Sequence, residues 1–227
     1  MKTTSVGQHG LQLTRALLFN CFLVREDDGW TLIDANLKGT GADIIRAAGA
    51  LAIRRILLTH PHVDHVGSVD ELAAAIPDVI VATSQRSIPM MHIPPDRSLL
   101  PGEGSHPIKG ATPGVRTPVS LLLENGQRVG SLLAVATPGH IPGHLSFLDE
   151  RDGTLYAGDA MGNLGKLCVS GFTPWWFPLN KCWDKEIARR SVQALRNLPI
   201  RRIACGHGKT IEGGLPLLEE ALARARP

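Results

Sequence analysis

Thr59-His60-Pro61-His62-Val63-Asp64-His65-Val66-Gly67 places four side chains able to ligate a metal within six residues. The short apolar run from Arg55 to Thr59 immediately before it reads as a buried strand. The cluster therefore sits at a strand end, where a loop can aim neighbouring side chains at one centre. A helix could not present this spacing as one face. Imidazole and carboxylate are borderline-to-hard donors that suit zinc, iron or manganese. Three further segments bring matching donors to the ends of predicted strands: Thr137-Pro138-Gly139-His140, Gly158-Asp159 and Gly206-His207-Gly208. Glycine beside each donor permits tight turns and close backbone approach where several loops meet. Each segment alone is a weak signal, and the four in this order are a strong one.

The elements around these segments repeat one order. Leu13 to Val24 and Trp30 to Asp34 flank the turn-type cluster Glu26-Asp27-Asp28-Gly29 and predict a β-hairpin. Gly41 to Gly49 has helical spacing. Ser68-Val69-Asp70-Glu71 has the form of a capping box before a short helix that Pro77 stops. Val79 to Ala82 reads as strand. Pro89 to Pro118 holds seven prolines and predicts a long surface excursion. Strands follow at Ser131 to Ala136, Leu145 to Leu148 and Thr154 to Ala157. Asp184 is placed to cap a helix buried through Ala188, Val192 and Leu195, Arg202 to Cys205 returns as strand, and Leu215, Leu218 and Leu222 mark a terminal helix. Strands then helices, twice, predict an α/β fold of two sheets packed face to face with helices outside, formed by residues 1–227 as a single domain.

The ordered motifs resemble the metallo-β-lactamase superfamily: a strand ending in aspartate, H-x-H-x-D-H, a later histidine, a later aspartate and a last histidine. The match runs from Asp34 to His207. The resemblance implies an αβ/βα four-layer sandwich of two mixed sheets, with His60, His62 and His140 on one metal ion, Asp64, His65 and His207 on a second, and Asp159 bridging them. It favours His140 over the neighbouring His144, which would support the loop by hydrogen bonding. It makes Asp34 an orienting residue behind the ligands, although Ala35-Asn36 follows here where the family often has Thr-Gly.

Two divalent ions roughly 3.5–4 Å apart can share a water and lower its pKa towards neutrality. The expected function is therefore hydrolysis of a small carbonyl substrate (ester, lactone or thioester) by a metal-bridging hydroxide, with Asp64 as the catalytic carboxylate that orients the water or shuttles its proton. Zinc is the expected ion, with iron and manganese as the other candidates. Phosphodiester hydrolysis and non-haem iron redox chemistry on the same fold are the alternatives. Glyoxalase II-like thioesterases add a helical domain after the last histidine, where this sequence has about twenty residues. The related lactonases place a tyrosine after the bridging aspartate. Here Ala160-Met161-Gly162-Asn163 follows, and the single tyrosine, Tyr156, precedes it.

Composition narrows the partners. A net charge of +3 without charge blocks or a basic aromatic-bearing stripe argues against nucleic acid. The apolar stretch Ala16 to Val24 is interrupted by Asn20 and is too short for a membrane span, and the first ten residues lack the layout of a secretory signal. The expectation is a cytoplasmic enzyme with a small-molecule substrate and no membrane partner, with homo-oligomerisation left open. Cys21, Cys168, Cys182 and Cys205 have no paired spacing and read as reduced thiols. Trp175, Trp176 and Phe177 concentrate aromatic surface in a chain with 4% aromatics. They read either as anchors of a long loop or as an apolar wall for an acyl group.

Overall fold

The computed structural model describes residues 1–226. They form two compact units: Met1–Asp96 with Ala111–Leu123, and Arg97–Gly110 with the chain from Glu124 onward.

The first unit is a seven-stranded sheet whose strands lie in chain order: β1 (Lys2–Val6), β2 (Gly10–Arg15), β3 (Phe19–Glu26), β4 (Gly29–Ile33), β5 (Ile53–Leu57), β6 (Ile80–Ser84) and β7 (Leu121–Leu123). The first four pair antiparallel through tight turns, and β4 to β7 run parallel. Parallel neighbours require crossovers, and these carry α1 (Gly41–Ala48), α2 (Val63–Val66), α3 (Val69–Ala75) and α4 (Ile88–Met91). Leu32, Ile44, Ile56, Leu58, Val69 and Leu72 join sheet and helices in one core.

The hairpin turn at Glu26–Gly29 closes β3 on β4 as expected. Two readings need correction. Leu13 to Val24 is two strands, because the chain reverses at Ala16 and Leu17, both at positive φ. The motif at Ser68 does not cap α3: the Ser68 hydroxyl donates to the Leu37 carbonyl and accepts from the Thr40 amide, while Glu71 accepts from the amides of Gly39 and Gly41. Asp70 likewise turns outward to accept from the Arg116 and Thr117 amides and the Thr117 hydroxyl. These side chains tether the loops on either side of α3.

In the second unit the six-stranded sheet has the order β15-β14-β11-β10-β9-β8. Its strands are β8 (Arg128–Val129), β9 (Leu132–Ala136), β10 (Leu145–Asp149), β11 (Thr154–Gly158), β14 (Arg202–Cys205) and β15 (Ile211–Glu212), with β12 (Met161–Asn163) and β13 (Leu167–Val169) pairing as a separate ribbon. All its pairs are antiparallel except β11 with β14, so this sheet too is mixed. Before β14 comes α5 (Lys185–Ala194), and α6 (Gly214–Arg224) ends the unit. The Asp184 carboxylate caps α5 by accepting from the Ile187 amide at 2.9 Å. Leu218 and Leu222 of α6 are buried, but Leu215 in its first turn faces solvent. Residues 92–120 contain no helix or strand, in keeping with their prolines. No helix among the described residues is long and apolar enough to cross a membrane.

Candidate metal centre

In the first unit the donors lie beyond the carboxyl ends of β4 and β5, the edge of a parallel sheet where loops converge. Asp34 follows β4 directly and adopts φ 60°, a left-handed conformation that aspartate tolerates better than most residues. Its amide donates to the Leu57 carbonyl at 2.9 Å, and the next amide, of Ala35, donates to the His65 carbonyl. The Asp34 carboxylate, itself buried, accepts from the Thr59 amide (2.8 Å), the Thr59 hydroxyl (2.8 Å) and His65 Nδ1 (2.7 Å).

These bonds settle the protons on the rings. The Thr59 hydroxyl has one proton and gives it to Asp34, so its oxygen accepts from His60 Nδ1 at 3.0 Å. His60 and His65 therefore both carry the proton on Nδ1 and the lone pair on Nε2. His60 Nε2 lies 3.0 Å from His62 Nδ1, and the His60 and His65 rings are 4.0 Å apart between centroids. Nε2 of His65 faces Asp64 Oδ2 at 3.8 Å. The unit thus brings together His60, His62, Asp64 and His65.

The second unit brings together the other three expected ligands. Oδ2 of Asp159, just past β11, lies 3.4 Å from His140 Nε2 and 3.2 Å from His207 Nε2, and all three residues are buried. His140 Nδ1 donates to the Ser170 hydroxyl at 2.9 Å, because that hydroxyl spends its own proton on the Leu179 carbonyl. His140 Nε2 is again the nitrogen with the lone pair. His144 is differently employed. Its Nε2 accepts from the Asp159 amide at 3.0 Å and its Nδ1 donates to the Thr137 hydroxyl at 2.9 Å. The proton order continues from Thr137 to Ser146 and from Ser146 to the Ala157 carbonyl.

Buried imidazoles with lone pairs aimed at a carboxylate, or at one another, make a donor set that fits divalent cations such as zinc or iron in each unit. Thr59 and Ser170 are the orienting groups that the sequence reading did not single out. Thr59 stands next to His60, whereas Ser170 is thirty residues from His140 and carries no motif of its own.

The Asp34→Asn variant separates orientation from ligation. An amide keeps the shape but has one acceptor oxygen, so it cannot accept from His65 Nδ1, which bonds Oδ2, and from the Thr59 amide, which bonds Oδ1, at once. Metal affinity is expected to fall about 10- to 100-fold, the usual effect of losing a group behind a ligand. Competition with a chromophoric chelator measures it, and unchanged affinity would remove Asp34 from this role.

The profile of the metallo-beta-lactamase superfamily matches residues 16–207. The chain belongs to that superfamily. It is 43% identical over 212 residues to the Uncharacterized protein YobT of Bacillus subtilis (strain 168), covering 91% of this chain and 90% of YobT. It is 31% identical over 170 residues to a hydroxyacylglutathione hydrolase of Alkalilimnicola ehrlichii, covering 74% of this chain and 52% of that enzyme. The alignment therefore spans about half the length of that enzyme. Among solved structures, TTHA1623 in a di-iron-bound form superposes with a TM-score of 0.66 at 26% identity, covering 98% of this chain and 99% of that one. The two mixed sheets with helices are the superfamily's fold.

Proposed function

We propose that the chain is a binuclear metal-dependent hydrolase of a small carbonyl compound: an ester, a lactone or a thioester. In this reading residues 1–227 work as one domain, with His60, His62 and His140 holding one ion, Asp64, His65 and His207 the other, and Asp159 shared between them. Zinc is the proposed metal, and the di-iron form of TTHA1623 makes iron the alternative to measure against it. When bound, such ions supply Lewis acidity at the carbonyl oxygen and an activated water at neutral pH.

The observation that carries the reading is the proton order on the rings. Three buried histidines have Nδ1 committed to Thr59, Asp34 and Ser170, which presents their Nε2 lone pairs as preformed ligands. In this reading Asp64, at the start of α2 and less buried than His65, would orient the attacking water and accept its proton. The hydroxyacylglutathione hydrolase relative supports a thioester or a similar carbonyl. The described residues contain no disulfide, and the proposal includes a cytoplasmic location.

The test joins elemental analysis to a panel of aryl esters, lactones, thioesters, phosphodiesters and β-lactams. Close to two metals per chain and turnover of a carbonyl substrate are expected, with activity lost to a chelator and restored by added zinc. Cleavage confined to phosphodiesters would replace the reading with a phosphodiesterase. Redox turnover with bound iron, and no hydrolysis, would replace it with an oxidoreductase.

A further inference from the structure

The aromatic segment that follows β13 divides into a buried ring and two exposed ones. Phe177 is 1% exposed, whereas Trp175 is 81% and Trp176 60% exposed. The Phe177 ring packs edge-on against His207, 5.7 Å between centroids, and Trp176 packs edge-on against Phe177 at 5.9 Å. A β-carbon at Gly162 would lie 2.9 Å from the Phe177 ring, so the bare backbone there is what lets the ring settle. Contact therefore runs without interruption from a proposed metal ligand to an indole in solvent.

The segment is internally braced. The Phe177 amide donates to the Pro174 carbonyl, the Asn180 amide to Phe177, the Lys181 amide to Pro178, and the Gly171 amide to Leu179. Asn180 Nδ2 also reaches the Trp175 carbonyl at 3.4 Å. Two large apolar rings are thus held out of the core by a loop whose backbone bonds are satisfied. Water solvates such surface poorly, and a rigid aromatic face binds apolar groups at low entropic cost.

We infer that Trp175 and Trp176 form the acyl-binding platform of this enzyme, and that its substrate carries an apolar chain of medium length next to the reacting carbonyl. The inference rests on the reading of His207 as a metal ligand. The ring series Trp176, Phe177 and His207 sets the direction: the carbonyl end of the ligand lies toward His207 and the chain lies along the indoles. Phe177 anchors the platform, and Trp175 and Trp176 determine specificity.

The experiment is calorimetric titration of metal-loaded protein with hexanoate, octanoate and decanoate, which are bound but not turned over. Wild-type affinity is expected to rise at least about tenfold from hexanoate to decanoate, given up to roughly fourfold per fully buried methylene. In the double variant Trp175→Ala with Trp176→Ala the rise should shrink to less than about threefold, and Trp175→Phe with Trp176→Phe should restore most of it. Metal content and melting temperature, checked in parallel, should stay at wild-type values because both rings are exposed. A slope retained in the alanine variant, or absent in the wild type, overturns the platform. So does a slope lost in the alanine variant together with a change of oligomeric state in sedimentation, which would assign the rings to self-association. A wild type that shows the slope but hydrolyses nothing in the panel retires the hydrolase reading and leaves the platform in place.

Discussion

Asp159→Ala is expected to leave a folded protein in which the proposed hydrolysis falls by on the order of 10³-fold, about 4 kcal/mol of transition-state stabilisation. The carboxylate is buried with His140 and His207 on the same oxygen, so it is the negative charge that a cation beside those rings would need. The loop itself survives, because its tether to His144 is the Asp159 backbone amide rather than the side chain. Removing a buried acid need not destabilise the metal-free protein, whereas the stabilisation that metal adds through mass action should vanish. Melting curves with and without zinc, read beside metal content and turnover, provide the measurement. Full metal content with wild-type turnover would mean that Asp159 is no ligand.

The second large effect is on folding. Gly139→Ala should cost about 4 kcal/mol and lower the melting temperature by roughly 8–16 °C in a chain of this size. Gly139 sits at φ 137°, where an L side chain is strained, and its β-carbon would fall 2.2 Å from the Ala188 Cα of α5. The helix cannot retreat cheaply. The Gly139 carbonyl accepts from the Asp184 amide at the helix start and from the Cys182 thiol. Because His140 is the next residue, the same substitution should also weaken metal binding. A melting temperature within 2 °C of wild type would show that α5 adjusts freely.

The candidate donors were legible because their signal is local: an imidazole or carboxylate, a flanking glycine and a strand that ends there. The cap at Asp184 and the turn at Glu26–Gly29 were legible for the same reason. What escaped was set by partners distant in sequence. Ala16 and Leu17 reverse the chain without glycine, asparagine or aspartate, since the pairing of β2 with β3 imposes the turn on residues that would otherwise extend a strand. Strand β1 is almost wholly exposed and polar, and its partner β2 supplies the backbone bonds that define it. The form S-x-x-E at Ser68 predicts a cap, but the loop at Leu37 to Gly41 competes for both side chains and wins them. The site follows the same division. Its candidate donors announce themselves, whereas Ser170 acquires meaning only when β13 is folded beside His140.

The line of hydrogen bonds from the Asp159 amide through His144, Thr137 and Ser146 to the Ala157 carbonyl can be read in one direction only, because a donor begins it and an acceptor ends it. Each position must take a proton on one side and offer one on the other. Positions 137, 144 and 146 therefore form one coupled set. A replacement acceptable at one of them depends on what its neighbours can still give or receive, so a library randomised at all three should yield matched sets, with energies that fail to add across the single changes.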